Sequence, residues 1–140
     1  MVRQAGLEDA FEFTGSLEGA ALRNAYLSAD LLIAPSHTEN FGMAIAEAMA
    51  HGLPVITTQG APWKLLEEEH CGWWVPVSVE GIAAALDAAT RQSPEELAAM
   101  GERGRAVVAE RFAWEGIARQ FVECYRWILG EGKKPGCVDW

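Results

Sequence analysis

Basic residues are scarce in this sequence. Eleven Lys and Arg stand against 20 Asp and Glu, a formal net charge of −9. That balance excludes nucleic acid as a partner, because phosphate-backbone binding needs clustered cations. It also argues against docking on anionic lipid. A small anionic ligand stays open, since the first N–H groups of a helix bind phosphate without any basic side chain. Cysteine is scarce too. Cys71, Cys124 and Cys137 are far apart in the chain, form no CxxC pair and are odd in number, and so read as free thiols of a cytosolic protein. No two histidines have a metal-ligand spacing such as HExxH, so no metal site is expected. No stretch approaches the roughly 18 uncharged apolar residues of a membrane span. Met1 to Phe13 carries charges throughout and lacks the apolar run of a signal peptide. The expected location is therefore cytoplasmic. Repeats and low-complexity tracts are absent.

Apolar residues make up half of the 140, enough for one domain with its own core. Met1 to Asp9 reads as a helix end turning at Gly6, and Ala10 to Thr14 alternates as a short strand. A helix over 16–29 follows. Leu31-Leu32-Ile33-Ala34, stopped by Pro35, is a continuous apolar run, the mark of a strand buried on both faces of a parallel sheet. Further strands are expected at 54–57 and 72–75. Helices are expected at 41–50, 63–70, 78–90, 93–110 and 114–129. Ser78 is a cap, and Ser93-Pro94-Glu95-Glu96 orders a cap, a first-turn proline and a capping-box glutamate. Strands alternating with helices predict an α/β fold, a Rossmann-like parallel sheet flanked by helices. The domain is expected over 1–130, with a loose tail at 131–140.

In such sheets ligands bind beyond the carboxyl ends of the strands, which directs attention to the segment after Ala34. It reads Pro35-Ser36-His37-Thr38-Glu39-Asn40-Phe41-Gly42-Met43-Ala44-Ile45-Ala46-Glu47-Ala48-Met49-Ala50-His51-Gly52-Leu53-Pro54-Val55. Gly42 opens a helix whose first N–H groups have no intrahelical partner and carry partial positive charge, so a diphosphate fits there. Glu47 shares a stripe with Met43 and Ala50 on a helix apolar almost all round, and a carboxylate there needs a partner. A carboxylate can accept hydrogen bonds from the vicinal diol of a ribose. Glu39, in the loop before the helix, is by itself only a residue compatible with the helix dipole. His51 and His70 read as structural, as does Gly60 at its turn. His37 reads more readily as an exposed loop residue than as a ligand contact. Trp63, Trp73 and Trp74 are either stacking surfaces or core.

The whole segment resembles the retaining glycosyltransferases of the large family 4 group, which have the GT-B fold. It carries their pattern E-x-F-G-x-x-x-x-E-A-x-A-x-G-x-P-V at every fixed position, and the likeness runs from about Leu7 to Tyr125. The resemblance implies the donor-binding, C-terminal half of such an enzyme. It places Glu39 near the donor sugar as the catalytic carboxylate. It also places Asn40, Phe41, Gly42, Met43 and Glu47 around the donor, with Glu47 on the ribose. No cofactor is implied; the substrate is a UDP- or GDP-linked hexose, and the acceptor is a glycan or a lipid-linked acceptor. The family's donor domain begins with two further βα units that supply a glycine-rich turn and an Arg and Lys on the diphosphate, and neither unit is present. The fold is therefore expected to be incomplete, the chain alone inactive, and the acceptor held by a missing N-terminal domain. A non-catalytic module completing a split transferase is the alternative. A bare sheet edge and an apolar last helix predict a homodimer.

Overall fold

In a computed structural model the described residues are 2–138. Three strands form one sheet, β1 (Leu32–Ala34), β2 (Val55–Thr58) and β3 (Gly72–Val75), in the order β1-β2-β3 and parallel throughout. Leu32 pairs with Val55, and Val55 in turn with Gly72. The helices are α1 (Gly19–Ser28), α2 (Met43–Ala50), α3 (Leu65–Glu68), α4 (Val79–Thr90), α5 (Pro94–Arg111) and α6 (Trp114–Ile128). The expected α/β architecture is thus present.

Side chains of β2 alternate between two cores, as strand geometry requires. Val55 joins Ile45, Met49, Trp63, Leu66, Cys71 and Val107 on one face, while Ile56 meets Ala85 and Ala89 of α4 on the other. Glycine lets α5 lie close on α2: Gly101 sits against the Gly52 backbone, and Gly104 against Met49 and Cys71. The capping box opens α5 as expected, with Glu96 N–H donating to Ser93 Oγ at 3.2 Å and Ser93 N–H to Glu96 Oε2 at 2.7 Å. Ser78 Oγ likewise accepts from Gly81 N–H at 3.0 Å.

Two expectations fail. Ala10 to Thr14 is not a strand. Glu8–Ala10 is a turn of 3-10 helix, and Phe11 to Thr14 is exposed and pairs with nothing among the described residues. Phe13 is 82% exposed and, among the described residues, stacks only on Phe11, with ring centroids 6.4 Å apart. Alternation gives an amphipathic strand only when a neighbour supplies the ladder, and here none lies beside it. The run at 31–34 is a strand but is not buried on both faces. β1 pairs only with β2, which makes it an edge, and Ile33 is 40% exposed.

No residue of α6 is buried, and Phe121, Tyr125 and Ile128 lie exposed along it. Among the described residues no helix is long and apolar enough to cross a membrane.

Candidate functional site

The segment between β1 and α2 is held from β2 and the turn after it. Thr57 Oγ1 donates to the Ala34 carbonyl at 2.8 Å, and the Thr58 hydroxyl donates to the carbonyl of Ser36. Both threonines are buried, so these bonds satisfy groups that would otherwise be costly. The Glu39 N–H donates to the Gly60 carbonyl at 2.9 Å. Gly60 is more than a turn residue. A Cβ there would come 2.6 Å from the Ser36 oxygen and the same distance from the His37 carbonyl carbon. Trp63 donates its indole N–H to the Phe41 carbonyl, and the Phe41 ring packs between Trp63 and Phe112, at 5.2 and 5.4 Å. Trp63 is 1% exposed, so it is core and offers no face to a ligand. Trp74 is half-buried and donates to the Ala61 carbonyl at 2.7 Å.

Gly42 starts α2 with φ 86° and ψ 66°, the left-handed region that glycine enters at no steric cost. An added Cβ would meet Ile45 Cδ1 at 2.9 Å, Trp63 Nε1 at 3.1 Å and Glu39 Cγ at 3.3 Å. The Glu39 side chain therefore lies over the helix start. The N–H groups of Ile45 and Ala46 both reach back to the Gly42 carbonyl, and no side chain caps the helix. The N–H groups of Met43 and Ala44 precede any intrahelical acceptor and form the positive end of the dipole. Met43 and Ala44 are exposed there.

Each sequence-predicted carboxylate has its own partner. Glu39 is half-buried and its Oε1 accepts from the Asn40 N–H at 3.1 Å. Glu47, one helical turn into α2 and half-buried, accepts at Oε2 from the Tyr26 hydroxyl at 3.1 Å. His51 closes this unit: its Nδ1 donates to the Glu47 carbonyl at 2.8 Å, and its ring stacks on Tyr26 with centroids 5.0 Å apart. Tyr26 was invisible to local sequence reasoning, since it lies 21 positions before Glu47 and is joined to it only by the fold. His37 is exposed and lines a separate apolar cavity of about 570 Å³ with Pro35, Thr58, Val77, Val79 and Ile82, at the carboxyl ends of the strands on the α4 side. Among the described residues no group of three or more His, Cys, Asp and Glu side chains is placed to hold a metal ion.

Burial, and then the hydrogen bond and charge of Glu47, hold the Tyr26 phenol above its ordinary value of 10.0. The folded pKa is raised, so the stabilisation is fully present below pH 10 and is lost as pH rises through the higher folded value. Tyr26→Phe is expected to cost about 1 kcal/mol at neutral pH. It should also flatten the fall in stability above pH 10. Urea unfolding at pH 7 and pH 11 checks both, and equal slopes in the two proteins would show that the pair is not coupled.

Residues 1–107 match the family described as glycosyl transferases group 1. A GDP-mannose-dependent alpha-mannosyltransferase of Mycolicibacterium smegmatis is 35% identical over 119 residues, which cover 84% of this chain and 31% of that protein. Sucrose-phosphate synthase from Thermosynechococcus elongatus superposes with a TM-score of 0.81 at 30% identity, over 92% of this chain and 33% of that one. The C-terminal domain of a glycosyl transferase group 1 protein from Francisella tularensis superposes with a TM-score of 0.70 at 29% identity, over 81% of this chain and 59% of that one. The sheet and its flanking helices are those of the C-terminal half of a GT-B fold. The chain spans a quarter to a third of the length of the curated relatives it matches. The sequence pattern around Gly42, the shared fold and the match over most of the chain agree, and the chain belongs to the glycosyl transferases group 1 family.

Proposed function

We propose that this chain is the nucleotide-sugar-binding part of a retaining glycosyltransferase of family 4. The reaction moves a hexose from a UDP- or GDP-sugar to a glycan or lipid-linked acceptor, without a metal ion, and the chain alone is inactive. The observation that carries this reading is the left-handed Gly42 at the open start of α2, with Glu39 folded over it and Glu47 one turn further on. The free N–H groups of Met43 and Ala44 suit the donor diphosphate or sugar hydroxyls. The Asn40 N–H, now on Glu39, is released if that carboxylate swings toward the sugar. Glu47 has one oxygen on Tyr26 and the other available to a ribose diol. Glu39 stands where a carboxylate would stabilise positive charge developing on the sugar ring.

Binding of UDP or GDP is expected to be weak. No Arg or Lys stands within residues 35–42, the loop between β1 and α2, whereas two charge-assisted contacts to a diphosphate are each worth roughly 1.5–3 kcal/mol. Their loss lowers affinity by about two to four decades. Titration followed by amide NMR should move the Met43 and Ala44 resonances at millimolar nucleotide. Glu47→Ala should weaken the nucleoside diphosphate but leave inorganic pyrophosphate unaffected. Low-micromolar binding would overturn the expectation of weak affinity, and shifts confined to another face would remove the proposal.

A subunit that completes a split transferase is the second reading, favoured by the open β1 edge and the exposed face of α6. Under either reading the isolated chain is expected to self-associate, an unpaired edge and an apolar face each inviting a partner. Its charge of −9 favours a defined dimer over precipitate. Sedimentation at tens of micromolar checks it, and a lone species at 15.2 kDa would refute it.

A further inference from the structure

The tail after α6 turns back along the helix. Gly130 takes φ 78°, its N–H bonds the Trp127 carbonyl at 3.0 Å, and the Glu131 N–H bonds the Arg126 carbonyl at 2.8 Å. These two bonds are the pair that closes a helix and reverses the chain. Gly132 then lies against Arg126 and the Trp127 backbone, and Pro135 is buried. The Val138 N–H donates to the Pro135 carbonyl at 3.2 Å, closing a turn around Cys137. The outcome is that Cys137 Sγ lies 3.6 Å from Cys124 Sγ, although the two are 13 positions apart. Neither is in a disulfide; Cys137 is exposed, Cys124 is half-buried on α6, and the third thiol, Cys71, is buried in the core.

We propose that Cys124 and Cys137 are a modification site, a dithiol that closes to an intramolecular disulfide and fastens the tail to α6. The sulfurs need approach by only about 1.5 Å to reach bonding distance, and the segment that must move is a short exposed turn. The oxidant is a small disulfide of the glutathione class. The Cys137 thiolate attacks one of its sulfurs, breaking the S–S bond and releasing one thiolate. Cys124 then attacks the Cys137 sulfur of the mixed disulfide, forming the protein S–S bond and releasing the second thiolate. The two protein thiols are oxidised, the small disulfide is reduced, and the two protons pass to the released thiolates. Exposure makes Cys137 the first to react. The Cys124 thiol is pushed up, chiefly by its hydrogen bond to Cys137.

The test uses the 140-residue chain and oxidised glutathione, with intact-mass and thiol counting. The expected product is a single chain lighter by about 2 Da, the mass of two hydrogens. Its free thiols fall from the three in the sequence to Cys71 alone. The tryptic peptides holding Cys124 and Cys137 should be recovered joined. Cys71→Ser should give the same ring, and Cys137→Ser should give none. Ring closure should be about tenfold or more faster in the native chain than in urea, because the fold holds the sulfurs together. A stable glutathione adduct, a disulfide between two chains, or equal rates in native and denatured protein would each overturn the proposal.

Discussion

Replacing Trp63 with alanine is expected to lower the stability of the domain by roughly 3–5 kcal/mol, the cost of emptying a buried aromatic site. A domain of this size is stable by only about 5–15 kcal/mol, so a large part of that margin is at risk. Trp63 is 1% exposed and shares a ring cluster with Phe41 and Phe112. Its loss also leaves the Phe41 carbonyl without the indole N–H that it accepts. Because Phe41 immediately precedes Gly42, the damage reaches the start of α2 as well as the core. Trp63→Phe separates the two effects: it keeps most of the ring and removes only the donor, for an expected cost of about 1–3 kcal/mol. Urea midpoints by circular dichroism decide. An unchanged midpoint in Trp63→Ala would show that this ring cluster does not hold the fold together.

Most of the fold was legible because its signals are local. The apolar runs before Pro35 and at Val55 and Gly72 are short and bounded by turn residues, and each is a strand in the structure. The Ser93 capping box is written in four consecutive residues and forms as read. The segment at Ala10 to Thr14 shows the limit. Its alternation is the same kind of signal, yet a strand exists only where another backbone supplies hydrogen bonds, and no local pattern reports whether a neighbour is there. The exposure of Ile33 has the same origin, since burial of an apolar run depends on what covers it.

Glu39, Gly42 and Glu47 stand out in the sequence through the family pattern they carry, and the left-handed Gly42 gives that pattern a physical basis. What supports them could not be read locally. Thr57 and Thr58 anchor the loop from β2, across 23 and 22 positions. Their sequence signature is only two polar residues at the end of a buried strand, which marks a satisfied core hydroxyl as well as a contact to ligand. Tyr26 of α1 and Glu47 of α2 meet only in the fold, across 21 positions. The approach of Cys137 to Cys124 depends on a chain reversal at Gly130, which spacing alone does not announce.

Gly101→Ala should be the second severe substitution, with an expected loss of about 3 kcal/mol. On propensity alone the change favours the helix by about 1 kcal/mol, since glycine is the poorer residue in a helix interior. Packing reverses the sign. A Cβ on Gly101 would run into the Gly52 carbonyl group, reaching 2.6 Å from its carbon. The obstacle is backbone at the end of α2, so no rotamer change relieves it. α5 must move away, which loosens the neighbouring contacts of Gly104 with Met49 and Cys71. Gly116 on α6 supplies the control, because nothing lies within 4 Å of a Cβ placed there. Gly116→Ala should therefore stabilise by up to about 1 kcal/mol, its propensity gain unopposed. Paired urea titrations read the two signs directly. If Gly101→Ala gains stability as Gly116→Ala does, the close approach of α5 to Gly52 is not what limits residue 101.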